Sequence, residues 1–313
     1  MGKTALYLIY FGLYSVVLLI IGKSSLRETY SPRDYFICER KVNLPFSVAT
    51  FTGTWVSAIT ILSLTGSVYE DGLAVLFYSV IPWFLGAFLL GMVTRRLYDN
   101  DIITAPEIFR TRYGSQALQA IYGLIFAAVY VFYLVSQFKG FGMVAAALFD
   151  IPYSVAVGLV YLFIMYTTFG GYRSVVRSDM FNLILLVVSL AVVFFAIVHQ
   201  VGGLGPLYAQ AAQLGSSHPS APNKESLLTL FGGRYTPLIS LSMFWGWGLG
   251  LAANPQYIVR LLGARDPRTA RNTLLCSLGL LAVIYFALIH IGLGMRVLVP
   301  ELPSAQPTDG III

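Results

Sequence analysis

Residues 43–68 read NLPFSVATFTGTWVSAITILSLTGSV, and the fold turns on how this stretch is read. It holds no charge and is long enough to cross a bilayer at 1.5 Å per residue. It nevertheless carries Thr50, Thr52, Gly53, Thr54, Ser57, Thr60, Ser63, Thr65 and Ser67. At 100° per residue, Thr50, Gly53, Thr54, Ser57, Thr60 and Ser67 fall within an arc of about 140°. Hydroxyls on that arc would be wasted on lipid, so the stripe must face protein or water. One reading is close helix packing, because small and hydroxyl residues let backbones approach and bond across helices. The other is a helix broken near the midplane, where the break frees backbone carbonyls to hold a hard cation.

A second interrupted stretch favours the break. Residues 245–257 read WGWGLGLAANPQY, with three glycines and a proline inside one apolar span. Gly246 and Gly250 form a GxxxG packing pair, whereas Gly248 and Pro255 both weaken a helix. Between and around these two lie further apolar segments, giving eight in all, near 5–22, 43–68, 73–94, 117–148, 152–170, 180–201, 236–259 and 273–296. Segment two opens a run of five helices and segment seven opens the next. Interrupted helices at equivalent places in two halves point to a transporter binding site, and an odd number per half inverts the second half.

Composition agrees with lipid as the main solvent. Of 313 residues, 57% are apolar and 11% charged, against about 25% charged in soluble proteins, and the mean hydropathy is +0.76. With so few charges, a net +6 does not point to nucleic acid; position matters instead. Loops 23–42, 95–116, 171–179 and 260–272 carry 15 of the 20 Lys and Arg residues. The positive-inside rule puts these loops in the cytoplasm of a multi-pass protein of the cell membrane, with the N-terminus and loop 202–235 outside. Segment 5–22 lacks a small-residue cleavage site and reads as a retained helix rather than a signal peptide. The outer loop is rich in turn residues, with Gly202-Gly203, Gly215-Ser216-Ser217, Pro219 and Pro222. Thr104-Ala105-Pro106-Glu107 has capping-box spacing and predicts a short surface helix to about Tyr113.

Soluble-enzyme motifs are missing from the sequence: there is no Walker loop, HExxH or Gly-x-Ser-x-Gly, and no nucleophile, base and orienter assemble in one leaflet. Cys38 and Cys276 offer neither a disulfide framework nor metal-ligand spacing. His199 and His218 sit at a helix end and in the outer loop, and mid-helix His290 is read as bonding a neighbouring helix. All 14 acids fall in or beside the predicted loops, which argues against a buried carboxylate proton relay. No ring of like charge or filter-like repeat suggests a channel.

Several short motifs, in order, resemble the sodium:solute symporters. Asp34-Tyr35-Phe36 with Arg40 precedes helix two; Thr104, Pro106, Glu107 and Arg112-Tyr113-Gly114 match a cytoplasmic Thr-x-Pro-Glu…Arg-Tyr-Gly. Phe169-Gly170-Gly171-Tyr172-Arg173-Ser174 with Asp179 resembles the signature after the fifth helix. Pro255-Gln256-Tyr257-Ile258-Val259-Arg260, Ala264-Arg265-Asp266 and Ala270 resemble the next cytoplasmic corner. The resemblance runs through nearly the whole chain. It implies an all-α integral membrane fold, a LeuT-like inverted-repeat bundle, and symport of a small solute with Na+ as coupling ion. Gly53 and Val56 match the backbone carbonyls of the sodium site. Ser57 and Thr60 match positions in or beside the solute pocket, which Trp55, Ser79, Gln137, Lys139, Trp247 and Gln256 are also expected to line. Tyr257 matches a cytoplasmic-side gate.

Sugar-carrying relatives place an acid and a lysine where this chain has Ser79 and Leu281, which disfavours a sugar. The run Thr54–Thr60 and Gln137 look more like the branches for monocarboxylates, pantothenate and related anions. Trp55 departs from several branches that hold a small polar or acidic residue there. Lys139 lies well inside its helix, where a charge costs ~3 kcal/mol or more. It reads either as attracting an anionic solute or as snorkelling outward. The family has some 13 helices, so the eighth would leave the second half-repeat incomplete. Missing C-terminal helices are expected to complete the bundle, the chain being a fragment or truncated gene product, or else something other than this chain completes it; alone it is expected not to transport. A sensory module on the same bundle is the alternative to a carrier.

Overall fold

The computed structural model describes residues 3–26, 31–100, 102–168, 171–216, 226–231 and 235–301. Phe169-Gly170 of the expected signature, His218, Lys224, Arg234, the loop prolines Pro219 and Pro222, and the C-terminal Pro307–Gly310 lie outside the described residues.

The described chain is helical, joined only by isolated bridges at Val42–Ala264 and Gly215–Ser226. The helices are α1 (Lys3–Leu26), α2 (Pro32–Ile37), α3 (Leu44–Trp55), α4 (Ala58–Asp71), α5 (Ile81–Asp99), α6 (Glu107–Tyr113) and α7 (Gln116–Phe149). After these come α8 (Tyr153–Thr168), α9 (Gly171–Val201), α10 (Leu204–Ala211), α11 (Pro237–Ala252), α12 (Pro255–Leu262) and α13 (Pro267–Leu298). Among the described residues, five helices are long and apolar enough to span a membrane: α1, α5 with the π-helical turn Leu76–Val80 ahead of it, α7, α9 and α13. α3 and α4 together make a sixth, bent by 52°. α8 and the α11–α12 pair occupy the remaining two expected segments.

Two segments differ from expectation. Residues 171–179, assigned to a cytoplasmic loop, are the opening turns of α9. Gly171, the first residue of α9, takes a left-handed φ of +63°. The outer loop holds a helix, α10, whose Leu207 and Ala211 are fully buried. The predicted surface helix forms as α6. Its Glu107 carboxylate accepts from the Thr104 hydroxyl (2.9 Å) and the Ile103 N–H (3.1 Å).

Where helices lie in lipid, packing rather than hydrophobicity brings them together. α5 and α11 meet through glycines: a Cβ on Gly86 would lie 2.4 Å from the Gly248 carbonyl, and one on Gly248 would lie 3.0 Å from the Pro82 carbonyl. Gly246 and Gly250, the expected packing pair, meet nothing within 4 Å. They sit on the opposite, outward face from Gly248, so the contact runs through the glycine between them. α13 is the central post, with Leu281, Ile284, Tyr285 and Leu288 buried. α7 buries Gly140 and Gly142 and otherwise turns an apolar surface outward.

The Lys- and Arg-rich end is tied by backbone. After α2, Cys38, Glu39 and Arg40 all have φ near +50°, a left-handed turn costly for residues with a Cβ. It is held because Arg40 donates to the carbonyls of Tyr98 (3.1 Å) and Ile102 (3.4 Å), and Val42 pairs with Gly263 and Arg265.

Candidate functional site

The break between α3 and α4 follows from three residues. Val56 is extended (φ −86°, ψ 99°), and Ser57 is the N-cap of α4. The Ser57 hydroxyl accepts from the Thr60 N–H and the Thr60 hydroxyl accepts from the Ser57 N–H, each at 3.3 Å, a reciprocal capping box. In a continuous helix those two N–H groups would bond the carbonyls of Val56 and Gly53. Both donors are diverted, and no other donor reaches either carbonyl among the described residues. The Thr60 hydroxyl also donates to the Trp55 carbonyl at 3.2 Å, satisfying the third carbonyl of the break. The carbonyls of Gly53 and Val56, the two residues expected to hold sodium, are thus among those the break leaves open.

α11 breaks at Ala253-Asn254, ahead of Pro255, which disfavours helical geometry in the residue before it. Asn254 caps α12 through the Gln256 N–H (3.2 Å) and accepts from the Tyr130 hydroxyl of α7 at 2.6 Å. Glycine-rich α11 itself stays helical as far as Ala252.

Between the two breaks, α7, α9 and α1 lies a cavity of about 700 Å³. Gly53, Val56, Ser57, Gln137 and Gln256 line it, as does Tyr133 one turn from Gln137 on α7. The Gln137 side-chain amide nitrogen is buried with no hydrogen-bond partner among the described residues. On α9, Asp179 accepts from the Thr50 hydroxyl at 2.6 Å, and a Cβ on Gly53 would lie 3.4 Å from its carboxyl carbon. On α12, Arg260 donates to the Thr54 hydroxyl at 2.6 Å and lies over the Tyr172 ring. A carboxyl and a guanidinium therefore line the cavity from α9 and α12, both touching the last turns of α3. The wall beyond is apolar, including Leu183 and Leu186.

The other expected residues are placed differently. Trp55, Thr60 and Tyr257 are buried just behind the cavity wall. Trp55 donates to the Tyr285 hydroxyl at 2.9 Å and packs on Tyr257, with ring centres 5.2 Å apart. Ser79 lies half-buried in the π-helical turn and Trp247 stands half-exposed, edge-on to Trp83; neither lines the cavity. Lys139 is exposed on α7 and does not line the cavity. His290 bonds a neighbouring helix as read: its Nδ1–H donates to the Phe286 carbonyl (2.7 Å), leaving Nε2 to accept from the Tyr208 hydroxyl of α10 (2.8 Å).

Asp179 corrects the reading that all the acids lie in or beside loops. It stands eight residues inside α9 and faces α3, so the argument against a buried carboxylate relay loses its ground. Its signal was in the sequence: Tyr172, Val176 and Asp179 recur at helical spacing, which a loop assignment hides.

Comparisons with known proteins agree with this geometry. Sodium/proline symporters of Staphylococcus aureus, strains Newman and COL, are 27% identical over 298 residues, 92% of this chain. The chain spans 56% of the length of these relatives. A solved structure of a Na+-coupled sialic acid symporter, substrate-bound and outward-open, superposes with a TM-score of 0.79 over the whole chain and 65% of its own, at 20% identity. That likeness establishes a LeuT-like fold. The sequence profile of the sodium:solute symporter family matches residues 35–310. On that match the chain, a multi-pass membrane protein of a transporter family rather than an enzyme family, belongs to the sodium:solute symporters.

Proposed function

We propose that the chain provides the ion and solute site of a secondary carrier that moves a small solute inward with Na+ by alternating access. The observation that carries this reading is the pair of unbonded carbonyls, Gly53 and Val56, at a helix break that opens on a cavity. Hard cations favour such oxygens, and the Asp179 carboxyl of α9 stands beside Gly53, bonded to Thr50. The end rich in Lys and Arg would face the cytoplasm. Ser57, Gln137, Gln256 and Arg260 would meet the solute; Tyr257, packed on Trp55, would close the pocket behind it. Thr60 and Trp55 would act by holding the break, while Ser79, Trp247 and Lys139 would lie outside the solute's reach.

Arg260 in the cavity wall suits a solute with a carboxylate, whether a monocarboxylate or pantothenate-like anion or an amino acid such as the proline of the relatives. Asp179 also makes proton coupling a second reading, since a buried carboxylate can carry a proton.

The test is radiolabelled uptake of pyruvate, pantothenate, proline, sialic acid and glucose, in proteoliposomes holding the chain and in cells expressing its gene, under sodium or proton gradients. Uptake of a carboxylate-bearing solute driven by sodium, and lowered at least tenfold by Asp179→Asn, is expected in the cells, and none is expected from the 313-residue chain by itself. A response to the proton gradient alone would favour the second reading. Uptake indifferent to both gradients would overturn both.

A further inference from the structure

Both halves of the broken helix lean on α13. On the α3 side, the Ser277 hydroxyl donates to the Val48 carbonyl at 3.5 Å, and the Trp55 indole N–H donates to the Tyr285 hydroxyl at 2.9 Å. On the α4 side, Gly292 lets the backbones approach: a Cβ there would lie 2.8 Å from the Thr65 carbonyl. Tyr285 stands between Ser277 and Gly292 on α13, and both it and Trp55 are buried. Phe51, Trp83, Phe84 and Tyr257 surround the pair, each with its ring centre within 6.2 Å of one or the other.

A hydroxyl in such apolar surroundings costs stability unless it is bonded. Among the described residues, Trp55 is the hydrogen-bond partner of this one, which accepts there while its own proton finds no acceptor. Two phenylalanines would fill the space with no polar group to satisfy, and replacing both partners of a buried bond by apolar groups is close to neutral for stability. Packing therefore does not require the pair. Position gives it a use. Trp55 ends α3 between Gly53 and Val56, whose carbonyls the break leaves open. Its own carbonyl accepts from the Thr60 hydroxyl of α4 at 3.2 Å. Held to α13 by its side chain and to α4 by its carbonyl, Trp55 cannot turn without carrying the Val56 peptide with it, because each residue has only two soft dihedrals.

We propose that Tyr285 is a positioning residue for sodium: its hydroxyl fixes the Trp55 indole, and through it the aim of the Gly53 and Val56 carbonyls, so that α13 sets the affinity of the break for the ion. The proposal rests on the reading of that break as the sodium site. Tyr285 does not line the cavity and acts through Trp55. Partners that orient a metal's ligands without touching the metal are worth about 10–100-fold in its affinity.

The experiment measures binding of radioactive sodium to protein purified from cells expressing its gene, with melting in choline chloride as the separate measure of stability. Tyr285→Phe keeps the ring against Trp83 and Phe84 and removes the hydroxyl alone. Half-saturation at about tenfold higher sodium is expected. In a Trp55→Phe background the bond is already gone, and the same change should raise half-saturation no further. A lowered melting temperature with unchanged half-saturation would show a bond that serves stability alone and overturn the proposal. So would an equal loss in the Trp55→Phe background, which would mean that Tyr285 acts by another route. Tyr285→Phe decides by itself where Trp55→Phe folds poorly. The parent protein separates this proposal from the reading beneath it. A parent that binds no sodium removes the sodium site and the proposal together, whereas a parent matched in affinity by Tyr285→Phe removes the proposal alone.

Discussion

Gly86 and Gly246 look alike in sequence, each a glycine in an apolar helix, yet only one of them touches another helix. A methyl group at Gly86 would lie 2.4 Å from the Gly248 carbonyl and 2.8 Å from the Leu251 Cβ, so α5 and α11 would have to separate. A methyl at Gly246 meets nothing. We expect Gly86→Ala to cost about 1–3 kcal/mol, as overpacking does. Gly246→Ala should leave stability unchanged within about 0.5 kcal/mol, or raise it through helix propensity. Melting temperatures of the two variants in one detergent check this, and equal shifts would refute it. The same locality governs the site. Thr60 matters through one hydroxyl that accepts from Ser57 and donates to Trp55.

For an element, the ends decide as much as the span. α13 begins at Asp266, whose carboxylate accepts from the Thr269 N–H at 2.7 Å and the Thr269 hydroxyl at 2.9 Å. Those bonds favour the charged form and hold its pKa below the ordinary carboxylate value. A carboxyl whose folded pKa is depressed stabilises the fold above its unfolded value, about 3.9, and loses that contribution as pH falls through the lower, folded one. Asp266→Ala should therefore cost about 1 kcal/mol at neutral pH, as lost N-caps do. Its melting temperature should converge on that of the parent only below about pH 4. A gap that stays constant down to pH 3 would show that the cap's charge is idle. The break at Val56-Ser57 uses the same chemistry in mid-span. There the capping side chains take donors from the preceding turn, which turns a helix start into a pair of open carbonyls.

The whole molecule is stapled at both ends. At the basic end, Arg40 and Val42 bind the left-handed turn to the end of α5 and the α12–α13 corner. At the other end, Arg296 of α13 lies over the Tyr69 ring of α4. It donates to the Gly215 carbonyl (3.2 Å) and to the Pro300 carbonyl, while the Tyr69 hydroxyl donates to the Val299 carbonyl (2.6 Å). One cation thus joins α4, α13 and the segment after α10. Arg296→Gln keeps a donor but cannot reach all three. Amide exchange around Gly215 and Ser226–Leu228 should speed up at least tenfold, with α13 itself little changed. Exchange unaltered in that segment would mean the staple is redundant.

Much of this was already legible as pattern. Eight apolar segments, the clustering of Lys and Arg at one set of loops, and two helices with misplaced polar or breaking residues are local properties. Hydropathy and period read them because a bilayer demands internally bonded backbone. The break in 43–68 was one of two readings, favoured by the second interrupted stretch at 245–257, and the Ser57–Thr60 capping pair that makes it emerged with the structure. Which glycine packs, which side of α7 its lysine faces, and which acid enters the cavity depended on the rotation and start of each helix. The sequence around Gly170-Gly171 leaves that start open, and a helix begun nine residues earlier changes Asp179 from a loop charge into part of the cavity wall. Only the packing of α9 against α3 decides that, because a side chain's neighbours across helices are set by how the helices meet rather than by the spacing within either one.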